Sequence, residues 1–198
     1  MIDNLKNKTP LYIIYLYPFS LITGPFLPDF LICLLALFGI YEISKNKKWN
    51  HYINIYTIIF IIFCFYILIL SLTSKNPLLS LESTLFYFRF IFFSISIAFY
   101  FNKFLSDLDN IKIIYSICIL IVCIDAIFQY LFGYNTLGFL KTDLYRLSGF
   151  FKDEYILGSY LSRLLPIIIF LFMFNWKSTS KEIILYSVLI LSSGVTIL

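Results

Sequence analysis

Three ionisable side chains, Arg89, Asp125 and Arg163, stand inside long apolar runs. A charge at bilayer depth costs on the order of 2.5–3.5 kcal/mol on insertion scales, so such groups pair with one another or serve a function. At about 1.5 Å of helical rise per residue, they lie about 9, 10 and 12 Å from one end of their respective runs, which predicts a single charged layer. Gln129 follows Asp125 by one turn on the same face, and Glu82 precedes Arg89 by two. One carboxylate against two guanidiniums leaves a positive surplus. Guanidinium binds phosphate oxygens bidentately, so that surplus suits an anionic group such as a lipid phosphate. Two plainer readings stay open: Asp125 neutralises an arginine and merely holds helices together, or Arg89 snorkels to the headgroups.

Composition says what must carry these groups. Of the 198 residues 61% are hydrophobic and only 13% charged, where soluble domains carry roughly 25% charged residues. Mean hydropathy is +0.90. Too few polar side chains remain to cover a water-facing surface, which excludes a soluble enzyme, a disordered tail and a secreted disulfide scaffold. The expected fold class is all-α, a polytopic transmembrane helical bundle of six to seven spans in a single domain covering 1–198. Spans are expected at 11–27, 29–43, 53–72, 83–101, 111–132, 155–174 and 183–198, each near the roughly 17–25 residues a bilayer requires. A tight turn at 24–29 joins the first two, and a long loop covers 133–154. The run ends at Leu198 with no polar stop, which predicts continuation into a longer protein.

The net charge of +4 is topological information rather than a nucleic-acid signal, because the cations are scattered through short loops. With a cytoplasmic N-terminus, the inner segments hold Lys6, Lys8, Lys45, Lys47, Lys48, Lys103, Lys112, Lys177 and Lys181. The outer loops then hold only Lys75, Lys141, Arg146 and Lys152. Positive charge collects on the cytoplasmic side, so the N-terminus is expected inside and the 133–154 loop outside. Cys33, Cys64, Cys118 and Cys123 all lie in apolar runs, without the close pairs and histidine partners of a metal site. They read as small lipid- or core-facing residues. His51, the one histidine, falls in an inner loop.

The stretch from Arg146 to Pro166 combines several local signals. Gly149 permits a turn. Asp153 and Glu154 favour a helix start through the dipole. Gly158 and Ser162 form a small-xxx-small face that admits a close helix neighbour. Pro166 interrupts the backbone ladder beside Arg163, and interrupted helices in membranes line cavities. A loop, a cap and an ordinary kinked span account for the same residues.

Arg146-Leu-Ser-Gly149, Asp153-Glu154, Gly158-Ser-Tyr-Leu-Ser-Arg163 and Pro166 together resemble the signature region of the O-antigen polymerase/ligase family. Asp125-Ala-Ile-Phe-Gln129 followed by Gly133-Tyr-Asn135-Thr-Leu-Gly138 resembles the segment that family carries just before it. The resemblance covers roughly residues 83–198. It implies a multi-pass enzyme of the bacterial inner membrane, active in polysaccharide or lipopolysaccharide biosynthesis for the cell envelope. Such an enzyme moves glycan from a polyprenyl-diphosphate carrier to another glycan or to a lipid A core, with no metal or other cofactor. Carried onto this chain, it implies Arg146 and Arg163 at the diphosphate and Glu154 as a base for the acceptor hydroxyl. Arg89, Lys152, Asp153 and Ser159 would contact substrate, and Asp125 and Gln129 would orient Arg163 or Arg89. The family's further arginine motif and large later outer loop do not occur in this sequence. A transporter or flippase of a lipid-linked glycan, and a noncatalytic membrane subunit, are the other expected classes. Membrane lipids are expected partners, nucleic acid is not.

Overall fold

The computed structural model of the chain describes residues 2–47, 49–141, 146–152, 154–174, 186–187, 189–190 and 192–194. The fold is all-helical, as the apolar composition requires: a backbone in hydrocarbon must satisfy its own hydrogen bonds. The α-helices are α1 Ile2–Ser20, α2 Phe26–Lys45, α3 Trp49–Tyr52, α4 Ile55–Leu72, α5 Pro77–Leu85, α6 Phe88–Lys103, α7 Leu108–Phe132 and α8 Leu157–Phe174. Among the described residues the only β pairing is an isolated antiparallel bridge between Tyr134 and Leu140.

Four segments are long and apolar enough to cross a membrane: Phe26–Lys45, Ile55–Leu72, Pro77–Lys103 and Leu105–Phe132, with Leu157–Leu171 a shorter apolar helix. Along α4, Ile55, Ile58, Ile59, Ile62, Phe65 and Ile69 are all exposed, a face suited to acyl chains. The sequence predicts six to seven spans, and several boundaries differ. The helix expected at 11–27 starts at Ile2 and ends at Ser20, where residues 21–25 turn through Gly24 at φ 114°. The span expected at 83–101 is divided at Phe86–Tyr87 between α5 and α6. The span expected at 183–198 lies mostly outside the described residues.

The chain separates into two compact units. One comprises Met1–Ile13 and Phe26–Leu105, the other Ile14–Pro25 and Ser106–Leu198, so the division falls within α1. In the first unit α2 and α6 run parallel. Arg89 Nη2 reaches Asp29 Oδ2 at 3.0 Å, Ser96 Oγ donates to the Ala36 carbonyl at 3.2 Å, and Lys103 Nζ reaches Glu42 Oε2 at 2.6 Å. These partners lie 60, 60 and 61 positions apart in sequence, a constant offset that only parallel helices give. The two backbones touch at Gly39, where a Cβ would fall on the Ser96 side chain. The return leg between them is α4, started by Asn54, whose side chain accepts from the Thr57 N–H at 3.1 Å. Ser71 with Thr84, and Ser74 with Ser80, tie α4 to α5 by hydroxyl pairs.

The second unit is organised by tyrosines. Pro18 has no N–H, so the carbonyl of Ile14, four residues before it, loses its helical donor. The Tyr115 hydroxyl of α7 donates to that carbonyl at 3.2 Å. One turn later the end of α1 tightens, and the Ile22 N–H bonds Phe19 rather than Pro18. The Pro18 carbonyl accepts instead from the Tyr160 hydroxyl of α8 at 3.1 Å, and Tyr160 also meets Cys118 Sγ at 3.0 Å. One carbonyl freed by Pro18 and one freed at the end of α1 thus fasten three helix segments. None of the four cysteines forms a disulfide among the described residues.

Candidate functional site

Among the described residues, the most polar buried region lies where α7 ends and residues 133–141 and 146–152 fold back over it. Asp125, Gln129, Asn135 and Ser148 are each at most 2% exposed. Gly133 stops α7 in the left-handed region, at φ 78°, its N–H bonded to the Gln129 carbonyl at 2.9 Å. The chain then makes a small hairpin: Asn135 N–H to Phe139 O at 2.9 Å, and Lys141 N–H to Gly133 O at 2.8 Å. Asn135 Oδ1 holds the tip by accepting from the N–H groups of Leu137 at 3.1 Å and Phe139 at 2.7 Å. Asp125 Oδ1 reaches up from α7 to accept from Thr136 N–H at 2.9 Å and Thr136 Oγ1 at 2.5 Å.

A second turn, Gly149–Phe151, closes over this hairpin. Gln129 Oε1 accepts from the N–H of Ser148 at 3.1 Å and of Gly149 at 2.8 Å, while its Nε2 donates to Ser148 Oγ at 3.1 Å. Asn135 Nδ2 donates to the Gly149 carbonyl at 2.7 Å. Gly149 sits at φ 54°, and a Cβ there would stand 3.5 Å from Asp125 Oδ2. That oxygen is buried and makes no hydrogen bond. Lys152 leaves the turn at φ 56°, a conformation that costs a non-glycine residue on the order of 1–3 kcal/mol.

Cations project from this framework. Arg146 and Lys152 are exposed, and the Lys152 ammonium lies 5.9 Å from the Phe139 ring. Lys141 stands 5.1 Å over the Tyr130 ring. On α8, Leu157, Tyr160, Leu161, Leu164, Ile168 and Leu171 are buried. Ser159, Ser162, Arg163 and Pro166 share the opposite, exposed face. Among the described residues, ion pairs form at Arg89–Asp29, Lys103–Glu42 and Lys112–Asp109, and none involves Arg146, Lys152 or Arg163. No group of His, Cys, Asp and Glu among the described residues has the arrangement of a metal site.

Several expectations change at this point. Asp125 and Gln129 bond neither Arg163 nor Arg89: their partners are backbone and hydroxyl groups of the loop. Arg89 pairs with Asp29 in the first unit and lies 4.9 Å over the Phe90 ring, at the first turn of α6 and inside the Pro77–Lys103 segment. Its Nε is buried without a hydrogen-bond partner. Glu154 is exposed and does not cap α8, which begins three residues later at Leu157. Asp153 lies outside the described residues. Among the described residues nothing approaches within 4 Å of a Cβ at Gly158, and a close helix approach occurs at Gly39. Pro166 does not break α8, which is helical on both sides of it. Thr136, Ser148 and Asn135 were not among the expected site residues. Their polarity within an apolar stretch was the available signal. No family model, curated protein or solved structure matches this chain.

Proposed function

We propose that the chain is a multi-pass glycan polymerase or ligase of the bacterial inner membrane, drawing glycan from a polyprenyl-diphosphate carrier at the outer face. The observation that supports this reading is the set of exposed cations, Arg146 and Lys152 on a backbone-braced loop and Arg163 in a serine-lined face of α8, that take part in no ion pair among the described residues. An arginine about 9 Å into an apolar helix is costly against acyl chains. It is stabilised by an anionic occupant that it can grip in a fork. The N-terminus is read as cytoplasmic because the parallel helices α2 and α6 both end in lysines, Lys45 and Lys103.

In the proposed reaction an acceptor hydroxyl attacks the anomeric carbon of the donor sugar. The new C–O bond forms as the bond to the diphosphate breaks, and polyprenyl diphosphate leaves with the electron pair. Glu154, exposed beside the loop, takes the hydroxyl proton. Arg146, Lys152 and Arg163 meet the negative charge that grows on the leaving diphosphate, the role fixed cations serve best. Replacing Arg146 or Arg163 by Ala is expected to abolish long glycan chains on a gel while the protein stays in the membrane. Unchanged ladders from both variants would refute the assignment.

A further inference from the structure

Two uncharged side chains fix the turn from which the loop cations project. Gln129 holds the N–H groups of Ser148 and Gly149, and Asn135 holds the Gly149 carbonyl from the other side. Both amides are completely buried, so water does not compete for these bonds. Gly149 therefore has its donor and its acceptor both clamped by side chains that belong to neither of its neighbours. Filling this space alone would need only a leucine. An amide costs free energy to bury unless its polar atoms are used, and here every amide nitrogen and oxygen of the two residues is used. With consecutive Cα atoms 3.8 Å apart, the Cα of Arg146 lies within about 7 Å of the clamped Ser148. Lys152 follows Gly149 by three residues.

We propose that Gln129 and Asn135 are positioning residues for diphosphate recognition: by clamping Ser148 and Gly149 they set where Arg146 and Lys152 meet the carrier's phosphates. The proposal rests on the donor reading above. Its test uses the whole chain in phosphatidylcholine nanodiscs, with farnesyl diphosphate as the probe and amide exchange at Ser148 and Gly149 as a second readout. Gln129→Leu removes the clamp. Asn135→Asp keeps the acceptor for Leu137 and Phe139 but cannot donate to Gly149. Both are expected to speed exchange at the turn and weaken probe binding at least tenfold. Gln129→Glu still accepts from both backbone N–H groups, and from the Ser148 hydroxyl once it rotates, so its affinity is expected within threefold of the parent.

In an Arg146→Ala, Lys152→Ala background, Gln129→Leu is expected to cost nothing further, because its effect passes through those cations. An additive loss overturns the proposal, and so does faster exchange with unchanged affinity. A parent chain with a protected turn and no affinity for the probe overturns the donor reading, and this proposal with it.

Discussion

Pro18 shows how one residue dictates the environment of its neighbours. It leaves the Ile14 carbonyl without a helical donor, and Tyr115 supplies one. Tyr115→Phe is expected to destabilise the protein by about 1 kcal/mol, in the range of buried hydrogen bonds in membrane proteins. In a Pro18→Ala background the backbone N–H returns to serve Ile14, and the same substitution is expected to cost markedly less. A double-mutant cycle by thermal unfolding in detergent checks this coupling. Asp125 makes a parallel case: Ala at this position leaves the Thr136 N–H and hydroxyl without their acceptor, at a cost of about 1–3 kcal/mol. Asn keeps one acceptor oxygen and is expected to cost less by the same measurement. Sequence alone marks Asp125 and Gln129 as polar intruders in an apolar run. Their partners were not legible, because those partners are backbone and hydroxyl groups of a loop, 11 positions on from Asp125 and 19 to 20 on from Gln129. Arg89 was legible as a charge needing a partner, yet its partner Asp29 lies 60 positions away, where no local spacing points.

At the scale of elements, apolar run lengths place α2, α4 and α7 within a few residues. What they miss are places where chain direction depends on contacts. The run through 83–101 reads as one helix, but the helix is interrupted at Phe86–Tyr87, next to Thr84, which meets Ser71 of α4. Close helix packing was expected from a small-residue pair in α8; among the described residues it occurs at a lone glycine in α2. Gly39→Ala is expected to force α2 from α6 and lower the unfolding temperature by several degrees. Gly158→Ala, with open space around it, is expected to raise helix propensity and leave stability unchanged or slightly higher. Equal effects from the two variants would contradict the parallel contact between α2 and α6.

At the scale of the whole molecule, composition alone supports a helical membrane protein, and four helices of sufficient length and apolar content agree with it. The common direction of α2 and α6 adds that their lysine-bearing ends lie on one side. A single cysteine at Ser74 is expected to react with an impermeant thiol reagent in intact cells, and one at Lys103 only after permeabilisation. The central proposition is that the cations around the 133–152 loop and the first turns of α8 receive a lipid diphosphate. Photocrosslinking with a diazirine-bearing isoprenyl diphosphate tests it most directly. The account predicts label in peptides from 133–152 and 157–166, competed by farnesyl diphosphate but not by farnesol, and lost in Arg146→Ala. Label confined to the lysine-bearing ends of α2 and α6, or competed equally by the alcohol, would contradict it.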